Sequence, residues 1–111
     1  MGALTTTRQR LQDAVAATGN GTALNVAGLA RLGLQISGTF VATVTFEVTI
    51  DGANWVSLSM TPSAGGAAVT SATAVGLFAA PVSGYAQFRA RVSAFTSGAV
   101  TADALVTEAA S

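Results

Sequence analysis

Residues 40–50, FVATVTFEVTI, alternate without a break: Phe40, Ala42, Val44, Phe46, Val48 and Ile50 on one side, Val41, Thr43, Thr45, Glu47 and Thr49 on the other. A period of two sustained over such a run, rich in β-branched side chains, predicts a strand with one face in the core. Burial of the Phe46 ring follows directly from that register. The next residues, DGAN (51–54), form a turn: Gly52 is free to take positive φ, and Asp51 or Asn54 can bond nearby backbone amides. WVSLSM (55–60) then returns as the hairpin partner.

The same alternation runs outward in both directions. Upstream, TALNV (22–26) precedes ARLGLQI (30–36), which sets Leu32, Leu34 and Ile36 against Arg31, Gly33 and Gln35. Downstream, Pro62 with Gly65 and Gly66 ends the hairpin, and AAVTS (67–71) and AVGLFAA (74–80) read as weaker strands. Pro81 and Gly84 bracket another turn. YAQFRARVSAF (85–95) then places Ala86, Phe88, Ala90, Val92 and Ala94 inward and Tyr85, Gln87, Arg89, Arg91 and Ser93 outward, and AVTADALV (99–106) closes the domain. Seven or eight short strands, with turns about every ten residues and no helices to build βαβ units, predict an all-β fold: an antiparallel, jelly-roll-like sandwich over residues 22–111.

Residues 1–21 read differently. Leu11, Ala14 and Val15 fall at helical spacing before Gly19, Asn20 and Gly21 stop any helix, so this stretch is expected to be a short helix or an arm reaching a neighbouring subunit. With Leu4, Leu11 and Val15 as its large apolar groups, it cannot offset much ordering entropy alone.

Composition narrows the chemistry. The 111 residues include five arginines, five acids, and no lysine, histidine or cysteine. That removes thiol and imidazole nucleophiles, Schiff-base lysines and the commonest metal ligands, so neither an enzyme nor a cofactor is expected. Zero net charge gives no field for nucleic acid, and the longest apolar stretches fall far short of the ~20 residues that cross a bilayer. Alanine supplies 24 residues and threonine 15, which implies a core of small units and outward faces of hydroxyls. Thr43, Thr45, Thr49, Ser57, Ser59, Ser93 and Thr101 form such faces, with few of the charges that normally protect sheets from association. A dimer or trimer is the expected state.

Paired carboxylates are the first catalytic test. Glu47 and Asp51 share a strand face but stand about 13 Å apart along an extended strand, too far to hold one metal ion. DGANW (51–55) lacks the alternating acids of a calcium loop, and GNG (19–21) follows no strand and precedes no lysine. Arg89 and Arg91, two apart on one outward face, form either a cross-strand pair with Glu47 or a contact to another subunit. Leu4, Arg8, Arg10 and Leu11 are further candidates for subunit or capsid contact. Trp55 and Tyr85 each begin a strand, where an aromatic seals the sandwich edge or offers a platform for a sugar.

The segments LNVAG (24–28), GTFVATVTFEVTIDGANW (38–55) and PVSGYAQFRARVSAFTSGAVT (81–101), preceded by ATGNG (17–21), resemble a family of small structural proteins of tailed bacteriophages. The resemblance implies a non-enzymatic virion protein without catalytic residues. It points to a head decoration or cement subunit, assembled in the host cytoplasm, bound as an oligomer to the major capsid protein and exposed on the capsid surface. Tail or fibre modules, or a carbohydrate-binding receptor module using Trp55 and Tyr85, form the alternative.

Overall fold

The structure, a computed structural model, describes residues 6–108 and is built of strands alone among them: β1 (Thr6–Val15), β2 (Leu24–Asn25), β3 (Arg31–Thr49), β4 (Val56–Ser57), β5 (Thr61–Pro62), β6 (Ser71–Ala72), β7 (Gly76–Pro81) and β8 (Gln87–Thr107). All pair antiparallel in one sheet, with spine β1-β8-β3-β7-β5; β2 adds to β8, and β4 and β6 to β3. The expected all-β, antiparallel, sandwich-like fold is the one observed.

Two long strands organise it. The stretches 30–36 and 40–50 fuse into β3, and 85–95 and 99–106 fuse into β8, and the two pair from Arg31↔Thr107 to Thr49↔Gln87. Midway along, Gly38 (φ 106°) faces Val100 and Gly98 (φ 91°) faces Phe40. Both lie in the left-handed region that a side chain avoids. A Cβ on Gly98 would overlap the Thr39 carbonyl, and one on Gly38 the Ala99 carbonyl oxygen. Glycine at both points lets the ribbon bend.

The buried residues have the same parity on both sides of this bend: Leu32, Leu34 and Ile36, then Ala42, Val44, Phe46 and Val48 in β3; Phe88, Ala90 and Val92, then Val100, Ala102, Ala104 and Val106 in β8. One face of the ribbon is therefore apolar along its whole length, and bending folds that face onto itself. Phe46, in the far arm of β3, meets Phe78 of β7, which lies beside the near arm, with ring centroids 5.1 Å apart. The alanines of β8 keep the interior shallow enough for this contact. Short segments stitch the arms together: Val56–Ser57 pairs with the far arm and Thr61–Pro62 with β7, while Leu58 and Met60 enter the core between them.

Several local expectations are corrected. The 1–21 segment is no helix where it is described, because Thr6–Val15 pairs along β8 as an edge strand. A helix this short is marginal alone, whereas β8 supplies a ready row of backbone partners. Irregular pairing around Leu11 and near Ala14, which has φ 49°, breaks the alternation, so neighbours Leu11 and Gln12 are both buried. The Gln12 amide donates to Ala90 O (2.8 Å) and Gly19 O (3.2 Å), tying the 16–22 loop to β8. Ala94, expected inward, is exposed and Phe95 packs on the core instead, because the register with β3 slips between Val44 and Thr43 and again between Ala42 and Val41. Ile50, also expected inward, lies past the last paired residue of β3 and is 74% exposed.

Gly98→Ala is expected to destabilise the fold by more than about 2 kcal/mol, since backbone must move. Gly28→Ala, at φ 79° but in open space, should cost about 1 kcal/mol. Urea midpoints of the two variants check the difference.

Candidate functional site

Away from the bend the even-numbered positions of the ribbon are buried and its odd-numbered side chains form two outward faces, one on each arm; Thr49, expected outward, is instead covered, as is Glu47 beside it, because further segments pack over that end of the sheet. On the near arm the register lines up Gly33 with Ala79 and Leu105, and Gln35 with Leu77 and Asp103. Gly33 has no side chain, so a shallow depression of about 370 Å³ opens between Leu77 and Leu105, with Arg8 and Asp103 on its rim. Leu77 is 52% and Leu105 45% exposed, an unusual pair to leave in water on either side of one depression. Beside it, Arg10 Nε donates to Asp103 Oδ1 (3.0 Å), Arg10 Nη1 meets Asp13 (3.3 Å), and Arg8 lies 3.7 Å from Asp103. These are surface ion pairs that hold the edge strand in register and contribute little stability each.

The far arm presents polar groups. Glu47 faces Arg89 across the β3–β8 pair, and Arg91 reaches it diagonally from opposite Thr45. Arg89 Nε donates to Glu47 Oε1 at 2.7 Å; Arg91 Nε and Nη2 donate to Oε1 and Oε2 at 3.1 and 3.2 Å. The Trp55 ring stacks 4.2 Å from the Arg89 guanidinium carbon. Burial by itself would raise the Glu47 carboxyl, but hydrogen bonds and charge from Arg91 and Arg89 outweigh it and hold the group below its ordinary value. Thr45 and Ser93 hydroxyls bond each other at 2.8 Å next to this cluster.

At the end of the far arm, the DGAN turn closes on Asp51. Its Oδ1 accepts from the Ala53 and Asn54 amides (2.9 and 2.8 Å) and from Thr49 Oγ1 (3.1 Å), and its Oδ2 from Asn54 Nδ2 (2.6 Å). Those bonds, led by the backbone amides, hold the carboxyl well below the usual carboxylate range. Both oxygens already serve the turn, which fits the hairpin reading of DGANW. Among the described residues no three acids gather to hold a metal ion.

The candidate residues thus fall in different places. Arg89 and Arg91 meet Glu47 and Trp55; Arg8 and Arg10 meet Asp103 on the other arm. Leu11, expected as a contact residue, is buried in the core and presents nothing to a neighbour. Leu4 lies outside the described residues. Tyr85 packs on the core and lines a depression with Ile50 and Val56 that does not include Trp55, so the two aromatics do not share one cleft. Gly33, Leu77 and Asp103 were not singled out by sequence. The alternation of AVTADALV does put Asp103 and Leu105 outward, but it does not show that Leu77 stands beside them.

The sequence matches no protein family and no curated protein. Two solved structures superpose on nearly all of it. The SPBc2 prophage-derived protein YomS aligns with TM-score 0.88 at 18% identity, over 97% of each chain. The PBSX exported protein XepA aligns with TM-score 0.92 at 16% identity, over 97% of this chain and 39% of XepA. The chain shares their fold. It therefore matches YomS end to end and spans about two fifths of XepA.

The depressed Glu47 and Asp51 carboxyls set a sign for acid stability. Each binds its proton less readily folded than unfolded, so its contribution is present above the unfolded values near 4.5 and 3.8 and is lost as pH falls through the lower folded values. Urea midpoints measured from pH 6 down to pH 2 should fall for the wild type, and fall less steeply for Glu47→Gln.

Proposed function

We propose that this chain is a non-enzymatic structural subunit of a tailed phage, working by packing its outward sheet faces against other protein surfaces. In its most specific form it is a head decoration or cement protein that self-associates and binds the assembled capsid. The observation that carries the reading is the outward face of the near arm, where Leu77 and Leu105 flank the depression over Gly33. An exposed apolar patch with a polar rim suits burial against protein. The lack of histidine, cysteine and lysine supports a role without turnover. The name of YomS, a prophage-derived protein, agrees with a phage origin. The carbohydrate-binding alternative loses support from the separation of Trp55 and Tyr85 and from the guanidinium that already covers one face of the indole.

Light scattering at low and high salt is expected to give an oligomer whose mass does not change with salt, because apolar burial drives it. Leu77→Glu should shift that mass toward the monomer and abolish co-sedimentation with capsids, with the fold unchanged by circular dichroism. A wild-type monomer that also fails to sediment with capsids would contradict the proposal.

A further inference from the structure

The cluster around Glu47 on the far arm carries more guanidinium donors than its own contacts use. On the near arm Arg8 and Arg10 face Asp13 and Asp103, two against two. On the far arm two guanidinium groups share the single carboxylate of Glu47, which leaves that cluster one net positive charge, while Asp51 at the end of the arm is taken up by its own turn. Glu47 takes Arg89 Nε, Arg91 Nε and Arg91 Nη2; among the described residues, both Nη groups of Arg89 and Nη1 of Arg91 have no protein acceptor. None of these nitrogens is fully buried without a partner, so each touches solvent, although the Arg89 side chain is only 16% exposed.

That arrangement is preorganised. The stacked indole of Trp55 and the bond to Glu47 hold Arg89 in one orientation, so little side-chain entropy remains to be lost on binding. The surrounding outward side chains, Thr43, Thr45, Ser57 and Ser93, carry no charge to compete. A tryptophan beside a held arginine on a flat sheet is the combination that concentrates binding energy at protein interfaces. A small free anion on such an open face would keep most of its water. A carboxylate on a protein surface arrives with neighbouring atoms that cover the site and exclude that water.

We infer that this face docks an acidic patch of a partner protein: an aspartate or glutamate side chain takes the open Nη donors of Arg89 and Arg91, and the atoms flanking it rest on Trp55. Charge complementarity selects this partner. The near-arm patch that carries the assembly proposal is a separate surface, so either reading can fail without the other.

Trp55 is the chain's one tryptophan, so its fluorescence reports the site directly. Titrating the full chain with an oligoglutamate peptide should give a saturable change in emission that weakens as salt is added. Arg91→Gln, which leaves the Arg89–Glu47 pair in place, should weaken binding roughly tenfold, the loss of about one charge-assisted hydrogen bond. Glu47→Gln removes the competing carboxylate and should tighten binding by about the same factor, a direction that a merely structural ion pair would not give. Should Arg91→Gln unfold, Arg91→Lys replaces it: the charge stays but the planar fork is lost, and binding should weaken several-fold. The inference is overturned by the absence of a saturable change in the wild type, by affinity indifferent to the Arg91 variants, or by inorganic phosphate competing as strongly as the peptide.

Discussion

The bend in the β3–β8 ribbon is the constraint on which everything else rests. Two strands of 19 and 21 residues are long enough to form an open, twisted sheet with one apolar face in water. Gly38 and Gly98, lying diagonally across the pair, let the backbones approach and turn where a side chain would strike a carbonyl. Once the ribbon turns, its apolar face covers itself, and Phe46 and Phe78 close the interior. The outward faces, the edge strand and the stitching segments all take their places from that one corner.

Much of this was written in the alternation. FVATVTFEVTI gave its inward residues from Ala42 to Val48, the DGAN turn fell where Asp51 could bind the amides that follow it, and the pairing of Glu47 with Arg89 and Arg91 was one of two readings of their outward placement. Other features could not be read that way. Gly38 and Gly98 look like ordinary turn glycines, and only their mutual position across the pair shows that they bend a continuous ribbon rather than end four separate strands. The N-terminal strand lacks a clean period because pairing irregularities at Leu11 and near Ala14 turn consecutive residues inward. Spacing at helical intervals then imitated a helix. Likewise Ala94 and Phe95 exchange roles through register slips that the local sequence does not mark.

The same geometry explains why the charged clusters and the exposed leucines lie on the outward faces. The described core is largely alanine and valine, and the charged residues lie on the outward faces or at the ends of the strands. One arm shows leucines around a missing side chain; the other shows a braced arginine pair beside the single tryptophan. The two proposals rest on that chemical difference, one on apolar burial and one on charge. The fold is shared with YomS and with two fifths of XepA at identities of 18% and 16%, so similar backbones are built from largely different side chains.

Amide hydrogen exchange resolved along β3 and β8 tests the bent ribbon most directly. If the arms are two halves of one core, amides of 31–36 and 100–107 should exchange with the same opening free energy as those of 42–48 and 88–92, while the edge strand β1 exchanges faster. Separate opening energies for the two arms, with one exchanging freely while the other stays protected, would contradict it.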